Sequence, residues 1–458
     1  MNFASRLQDS ARRLAGANGG GSLVLVLLCL VLVSCLWTQS DAYRYAAIGL
    51  LVIGATNFFL PENARFRTGW LGFAVYAWAL HVALRYGHLL LTNPQTLGGQ
   101  AEGIYVFVAL CPAVGFAMFL NRARTQLTVR LIFAVSLACV IAALAVGYSD
   151  GGWNPDRNLH TNRIHAALAT GFLVLATLAR LVWLIEQPGE RSRARNVEIA
   201  LLAVLLAIST FLVVAWISKG VWLALAVALP VMAAGILWNG KSAARKSIGV
   251  IALATAAIVL VNLDFFAAVA GSTVEGVLQV AHRVVQTGSL AEATRSLETE
   301  GALPPALAQR LEIWSNALEI WRTNPWFGVG ATWEDSWSTA SFTHTAFNDN
   351  MHNGFLETGM RYGVAGLLFY TVLYGVLGAT VVAACRRGLI HHVAANLWFV
   401  SLLYFLVTLL TNSNERLPHG ESFMLVLGAT GFWMQFALQD QRARDAASQA
   451  CSPEGAGR

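Results

Sequence analysis

Long uninterrupted runs of apolar residues recur along the chain, separated mostly by short polar connections. "SLVLVLLCLVLVSCLW" (Ser22 to Trp37) and "IALLAVLLAISTFLVVAW" (Ile199 to Trp216) are typical. Each approaches the roughly 20 residues that carry a helix across about 30 Å of hydrocarbon. The pattern predicts an all-α polytopic membrane protein with about twelve transmembrane helices. They fall near residues 22–40, 43–60, 69–91, 103–120, 128–147, 165–186, 197–216, 221–238, 247–270, 361–384, 392–411 and 420–438. No small-residue cleavage site follows the first run, which therefore reads as a span and not as a removable signal.

Composition agrees: 56% of the 458 residues are hydrophobic and 12% charged, against about a quarter charged in soluble domains. The basic residues also orient the chain, because cytoplasmic connections keep Lys and Arg. Arg6, Arg12 and Arg13 precede the first span. Arg65 and Arg67; Arg122, Arg124 and Arg130; Arg191, Arg193 and Arg195; Lys241, Arg245 and Lys246; Arg386 and Arg387; and Arg442 and Arg444 then occupy every second connection. Both termini are expected in the cytoplasm. The net charge of +6 follows from topology and attraction to membrane lipid, and gives no reason to invoke nucleic acid. The chain divides into spans one to nine (1–270), one large exported loop with helices (271–360), spans ten to twelve (361–440) and a tail (441–458). None of the six cysteines lies in the loop, which gains nothing from disulfides.

The loop carries the candidate chemistry. "STVEGVLQVAHRVVQTGSL" repeats Val274, Val277, Leu278, Ala281, Val284 and Val285 on one face, predicting an amphipathic helix. After "GALPP", the segment "ALAQRLEIWSNALEIWRTNP" predicts a second helix ending before Pro325. Arg310 shares its apolar stripe with Leu303, Leu307, Trp314, Ala317 and Trp321. An inward arginine needs an anionic partner, either a loop carboxylate or a ligand. In "FNDNMHNGFLETG", Asn350 or Asn353 is expected to cap a helix starting near His352. A histidine in that first turn is held neutral by the helix dipole and can accept a proton. Polar residues collect on the same side. His81, Arg85 and His88 form one stripe of the third span, and Glu415 and Arg416 lie in the last exported turn, whereas Arg180 reads as a snorkelling anchor on the opposite side. No Asp-x-Asp occurs in the loop. Glu334 and Asp335 are adjacent and Asp349 stands alone, so no metal or other cofactor is expected at this site.

"RLEIWSNALEIWRTNPWFGVGATW" followed by "MHNGFLETGMRYGVAGLLFY" resembles the paired signature of the O-antigen ligase and polymerase family. The resemblance implies a GT-C-like membrane glycosyltransferase of the Gram-negative inner membrane, with its active site on the periplasmic face. Its donor would be a glycan on undecaprenyl diphosphate and its acceptor, in a ligase, a lipid A core sugar. It implies His352 as catalytic base, with Arg310 and Lys219 on the diphosphate. The family turn usually has arginine where this chain has Lys219, which keeps the charge without the bidentate fork. Arg85 is a further candidate for the diphosphate, and Asn353, Arg361, Glu415 and Arg416 are candidates for support. The ligase branch fits the long loop between spans nine and ten. An O-antigen polymerase uses another lipid-linked repeat as acceptor. A lipid-linked oligosaccharide transporter would instead spread ionisable groups across mid-membrane.

Overall fold

A computed structural model of the chain describes residues 20–92, 102–149, 151–188, 192–242, 245, 246, 249, 263–342 and 351–450. Its longer elements are all α-helices. In chain order they are α1 (Gly20–Leu32), α2 (Ala42–Phe58), α3 (Gly69–Thr92), α4 (Glu102–Val106), α5 (Cys111–Leu120), α6 (Thr125–Gly147), α7 (Arg163–Glu186), α8 (Arg193–Ala215), α9 (Lys219–Asn239), α10 (Leu263–Thr287), α11 (Leu290–Thr299), α12 (Pro305–Thr323), α13 (Trp333–Trp337), α14 (Gly354–Arg386), α15 (His392–Leu409) and α16 (Pro418–Ala450).

Among the described residues, seven helices are long and apolar enough to cross a membrane: Glu102–Leu120 (α4 with α5), Arg122–Gly147 (which includes α6), α7, α8, α9, α14 and α15. They coincide with the expected spans at 103–120, 128–147, 165–186, 197–216, 221–238, 361–384 and 392–411. The full expectation of twelve is not met by length and composition. Expected spans at 22–40, 43–60, 69–91 and 420–438 fall on α1, α2, α3 and α16. Of these, α1 has 13 residues and α2 has 17, while α3 carries Arg85 and the far half of α16 is polar. The ninth, 247–270, lies mostly outside the described residues, and its last part is the start of α10.

Two apolar cores fill the bundle. One joins α1, α2, α3, α5, α14 and α16 around Phe66, Phe116 and Phe436; the other joins α7, α8, α9 and α15 around Leu175, Leu212 and Tyr404. Small residues let backbones close up, the usual means of helix association in lipid. A Cβ on Gly54 would lie 1.9 Å from the Ala113 carbonyl oxygen. Arg180 does not snorkel. It is 6% exposed and its guanidinium bonds Glu198 (2.6 Å) and Gln126 (2.8 Å) between α7, α8 and α6. Ion pairing inside the bundle meets its need for a partner where headgroups would otherwise have done so.

The segment from α10 to α13 packs as a helical layer of its own. The amphipathic segment Val274 to Val285 is the second half of α10, continuous from Leu263, and not a separate helix. Val280 packs on Leu307 and Leu311 of α12 and Leu297 of α11, while Val274, Leu278 and Val285 stay exposed. The helix α12 begins beyond Pro304 as expected, and buries Ile313, Ala317 and Ile320 against Trp333, Trp337, Met351 and Met360. Helices α11 and α13 were not evident from periodicity, being 10 and 5 residues long.

Candidate active site

The site is built on a broken helix. Gly363 of α14 has φ 62° and ψ −160°, so the helix kinks there and its backbone N–H groups lose their partners one turn back. The turn Asn324–Gly330 supplies replacements: Pro325 accepts from Val364 N–H (2.9 Å) and Trp326 from Ala365 N–H (3.0 Å), while Val329 N–H donates to Met360 (2.8 Å). Only glycine fits the break, because a Cβ on Gly363 would sit 2.3 Å from Trp326 C and would also strain the positive φ. Gly328 meets the kink from the other side, its Cβ position lying 2.5 Å from the backbone of Arg361. The glycines of the "NPWFGVG" turn and of "RYG" are two halves of one interlock.

Arg85 clamps that interlock. Its guanidinium donates to the carbonyls of Phe327 (2.5 Å), Gly328 (2.6 Å) and Arg361 (3.2 Å). These contacts hold it against the turn. Arg361 is fully buried and bonds Glu357 (2.7 Å) and Glu102 (2.6 Å). Glu357 also accepts from Arg416 (3.2 Å), and the Tyr362 hydroxyl donates to Glu102. Glu102, Glu357, Arg361 and Arg416 thus balance two negative against two positive charges, the condition for burying them.

On this base the chain turns sharply into α14. Asn353 is the N-cap, its Oδ1 accepting from Phe355 N–H (3.0 Å) and Leu356 N–H (3.1 Å). His352 therefore precedes the cap instead of lying in the first turn, at a left-handed φ of 51°. Such a conformation costs about 1–3 kcal/mol in a non-glycine residue and persists only where neighbours enforce it. Here Asn353 N–H is tied to Ser413 Oγ (3.3 Å), and Trp314 of α12 donates to the Met351 carbonyl (3.0 Å). Asn350, the other expected cap, lies outside the described residues, as does Asp349.

His352 Nδ1 lies 3.2 Å from Asn412 Oδ1. Asn412 Nδ2 donates to Asn414 Oδ1 (2.7 Å), which turns the amide so that its oxygen faces the ring. The ring then carries its hydrogen on Nδ1, and Nε2 is the basic nitrogen. Burial, opposed by the Asn412 bond and reinforced by the positive charge of Arg310, holds this imidazole below its ordinary range. It is neutral at pH 7 for a different reason than the helix dipole first expected.

Arg310 projects from α12 one turn before Trp314, close enough for its charge to act on His352. It is partly buried, and burial lowers its pKa with no carboxylate opposing the shift. Among the described residues no acid pairs with it, so the loop-carboxylate alternative is not realised there. Lys219 opens α9, exposed, with Nζ 2.8 Å from Thr273 Oγ1 of α10. The adjacent Gly220 abuts Thr411, the neighbour of Asn412. Glu415 is 4% exposed and, among the described residues, neither carboxylate oxygen has a hydrogen-bond partner. Burial and the nearby Glu357 charge push it up to about 8, so at neutral pH it is predominantly protonated. It stands at the edge of an apolar cavity of about 650 Å³ between α14 and α15, lined by Leu367, Tyr374, Gly378, Phe399 and Phe405.

Sequence reading missed Glu102, Glu357 and Asn412. Glu357 had a signal, standing four residues before Arg361 on the same helix face. Asn412 and Glu102 had none, since their partners lie 60 and 259 residues away.

One pH prediction follows. A base held below the ordinary imidazole value of about 6.5 stays unprotonated further into acid, so activity should persist to below that pH before falling. Arg310→Gln removes a charge that lowers the pKa and should move the acidic limb of kcat/KM to higher pH. Profiles of both proteins check this, and coincident limbs would uncouple the two residues.

A search of the curated proteins finds no match. Residues 199–371 match the sequence profile of the family described as O-antigen ligase. The matched stretch, well under half of the chain, holds Lys219, Arg310, His352 and Arg361 and the interlock between the glycine turn and the broken helix, and it is the part of the chain that is similar to that family.

Proposed function

We propose that the protein is a metal-independent, inverting glycosyltransferase that moves O-antigen polysaccharide from undecaprenyl diphosphate to a lipid A core sugar at the periplasmic face of the inner membrane. The observation that carries this reading is the pairing of a neutral His352, oriented by Asn412, with an Arg310 that has no acid beside it among the described residues. The acceptor hydroxyl attacks the anomeric carbon and gives its proton to His352 Nε2. The carbon–oxygen bond to the diphosphate breaks as the new glycosidic bond forms, and the departing charge is met by Arg310 and Lys219. Preorganised cations of this kind serve the role that a divalent ion plays in many phosphate sites.

The cavity beside α14 and α15 suits part of the donor's prenyl tail, and its lining includes Gly354 and Phe355, two to three residues along the chain from His352. A tethered tail fixes the reacting carbon near the headgroup level, in keeping with a site beside the kink of α14 at one end of the apolar part of that helix.

The polymerase reading keeps every residue in the same role and changes only the acceptor. Purified protein supplied with lipid-linked glycan, without added divalent cation, is offered lipid A core or a second lipid-linked repeat, and products are resolved by length. A ligase is expected to attach existing glycan to the core and to build no ladder from repeats alone. A ladder formed without core assigns the protein to the polymerase branch, and no transfer to either acceptor argues against both.

A further inference from the structure

A second constellation lies at the other end of α15. Glu186 ends α7, while His391 and His392 cap and open α15. His392 Nε2 is 2.6 Å and His391 Nε2 3.6 Å from the same carboxylate oxygen, Glu186 Oε2, and the three atoms lie within 4.8 Å of one another. Glu186 is 2% exposed. Its other oxygen accepts from the backbone N–H of Lys241 (2.8 Å), just past α9, and its own carbonyl accepts from Lys241 Nζ (2.8 Å). The ammonium is thus engaged at the backbone, and the carboxylate is held by one neutral bond that leaves Oε2 for the histidines.

One proton shared between an imidazole and Glu186 would need only one histidine. Two ring nitrogens aimed at one oxygen, with no thiolate nearby among the described residues, form the donor set preferred by a borderline divalent ion. Around a four-coordinate ion with bonds of about 2.0–2.2 Å, neighbouring donor atoms stand about 3.3–3.5 Å apart. The His391 distance already fits, and the His392 contact opens by less than about 1 Å. The bond from Glu186 to Lys241 N–H is the outer-shell contact such ligands usually keep. His392 Nδ1 has no hydrogen-bond partner among the described residues, so the proton can sit there and free Nε2 for a metal. Binding through His391 Nε2 gives up a long 3.4 Å contact from Val393 N–H to its Nδ1. Access is open, since His391 lines a cavity of about 580 Å³ with Ile390, Trp183 and Gln126.

We propose that Glu186, His391 and His392 bind one zinc-type divalent ion, with the fourth position left to water, and that the ion ties the end of α7 and the start of α15 to the segment after α9. The 18 residues of α15 put about 27 Å between this site and the His352 end of the bundle, so its role is structural and independent of the transfer chemistry.

The test uses the full chain in lipid nanodiscs, stripped with a chelator, desalted and given zinc alone. Expected results are one zinc retained per chain by elemental analysis, a rise of several degrees in the unfolding temperature, and four-coordinate visible absorption when cobalt replaces zinc. The pair His391→Ala with His392→Ala should lose all three, while His352→Ala should keep them. If the pair fails to fold, His391→Ala alone, which leaves the His392 contact intact, is expected to lower zinc affinity at least tenfold. No stoichiometric retention by the unmodified chain, or retention unchanged in His391→Ala, overturns the proposal.

Discussion

His352→Ala is expected to lower turnover by about 10² to 10⁴, the range for loss of a positioned general base, with expression and helix content unchanged. The expectation of intact folding rests on position: the ring is half-buried and precedes the α14 cap, and the capping bonds come from Asn353. Alanine keeps the backbone turn available, and no buried charge is orphaned. His352→Gln separates hydrogen bonding from proton transfer, because it can still meet Asn412 but cannot accept the proton, and it should be nearly as slow as alanine. Measured turnover within threefold of the parent for either variant would remove His352 from the base role.

The largest effect on stability should come from Arg361. Arg361→Met leaves Glu102 with no cation bonded to it and Glu357 with Arg416 alone, all inside protein. Breaking a buried pair on one side costs about 3–5 kcal/mol, whereas replacing the whole set by neutral groups of similar volume is often close to neutral. Arg361→Met should therefore sharply lower the unfolding temperature, and adding Glu102→Gln, which neutralises the carboxylate left without a bonded cation while Glu357 keeps Arg416, should recover much of the loss. If the double variant is as unstable as the single one, packing of the long side chain, and not charge, accounts for the effect.

The sequence made the helices of the bundle legible wherever an apolar run was about as long as the bilayer is thick, as for α7, α8, α9 and α15. It read a short helix from about His352 and a separate span from 361, where the structure has one kinked helix from Gly354. The first turns of that helix are polar, and they are buried by ion pairs instead of by lipid, a condition hydropathy cannot register. The Asn353 cap was readable because capping is local. The partners of His352 were not, because Asn412 reaches it across a separate exported turn. Arg310 and Arg85 illustrate the same limit from two sides. Both were read as cations on one side of the chain; three-dimensional contacts tie Arg85 to carbonyls and, among the described residues, give Arg310 no acid.

The break at Gly363 also decides where this protein can be cut. Helix residues 354–362 belong by their bonds to the layer of loop helices, and those after 363 to the apolar bundle, although the two run on as one helix. Exchanging the loop between relatives at the hydropathy boundary near 360 would part Arg361 from Glu357 and the carbonyls of Pro325 and Trp326 from Val364 and Ala365. A transplant that swaps residues 310–365 together with 411–416, Arg85 and Glu102 carries the bonds described above. Acceptor preference, if it resides in this layer, is portable between chains only in that discontinuous parcel.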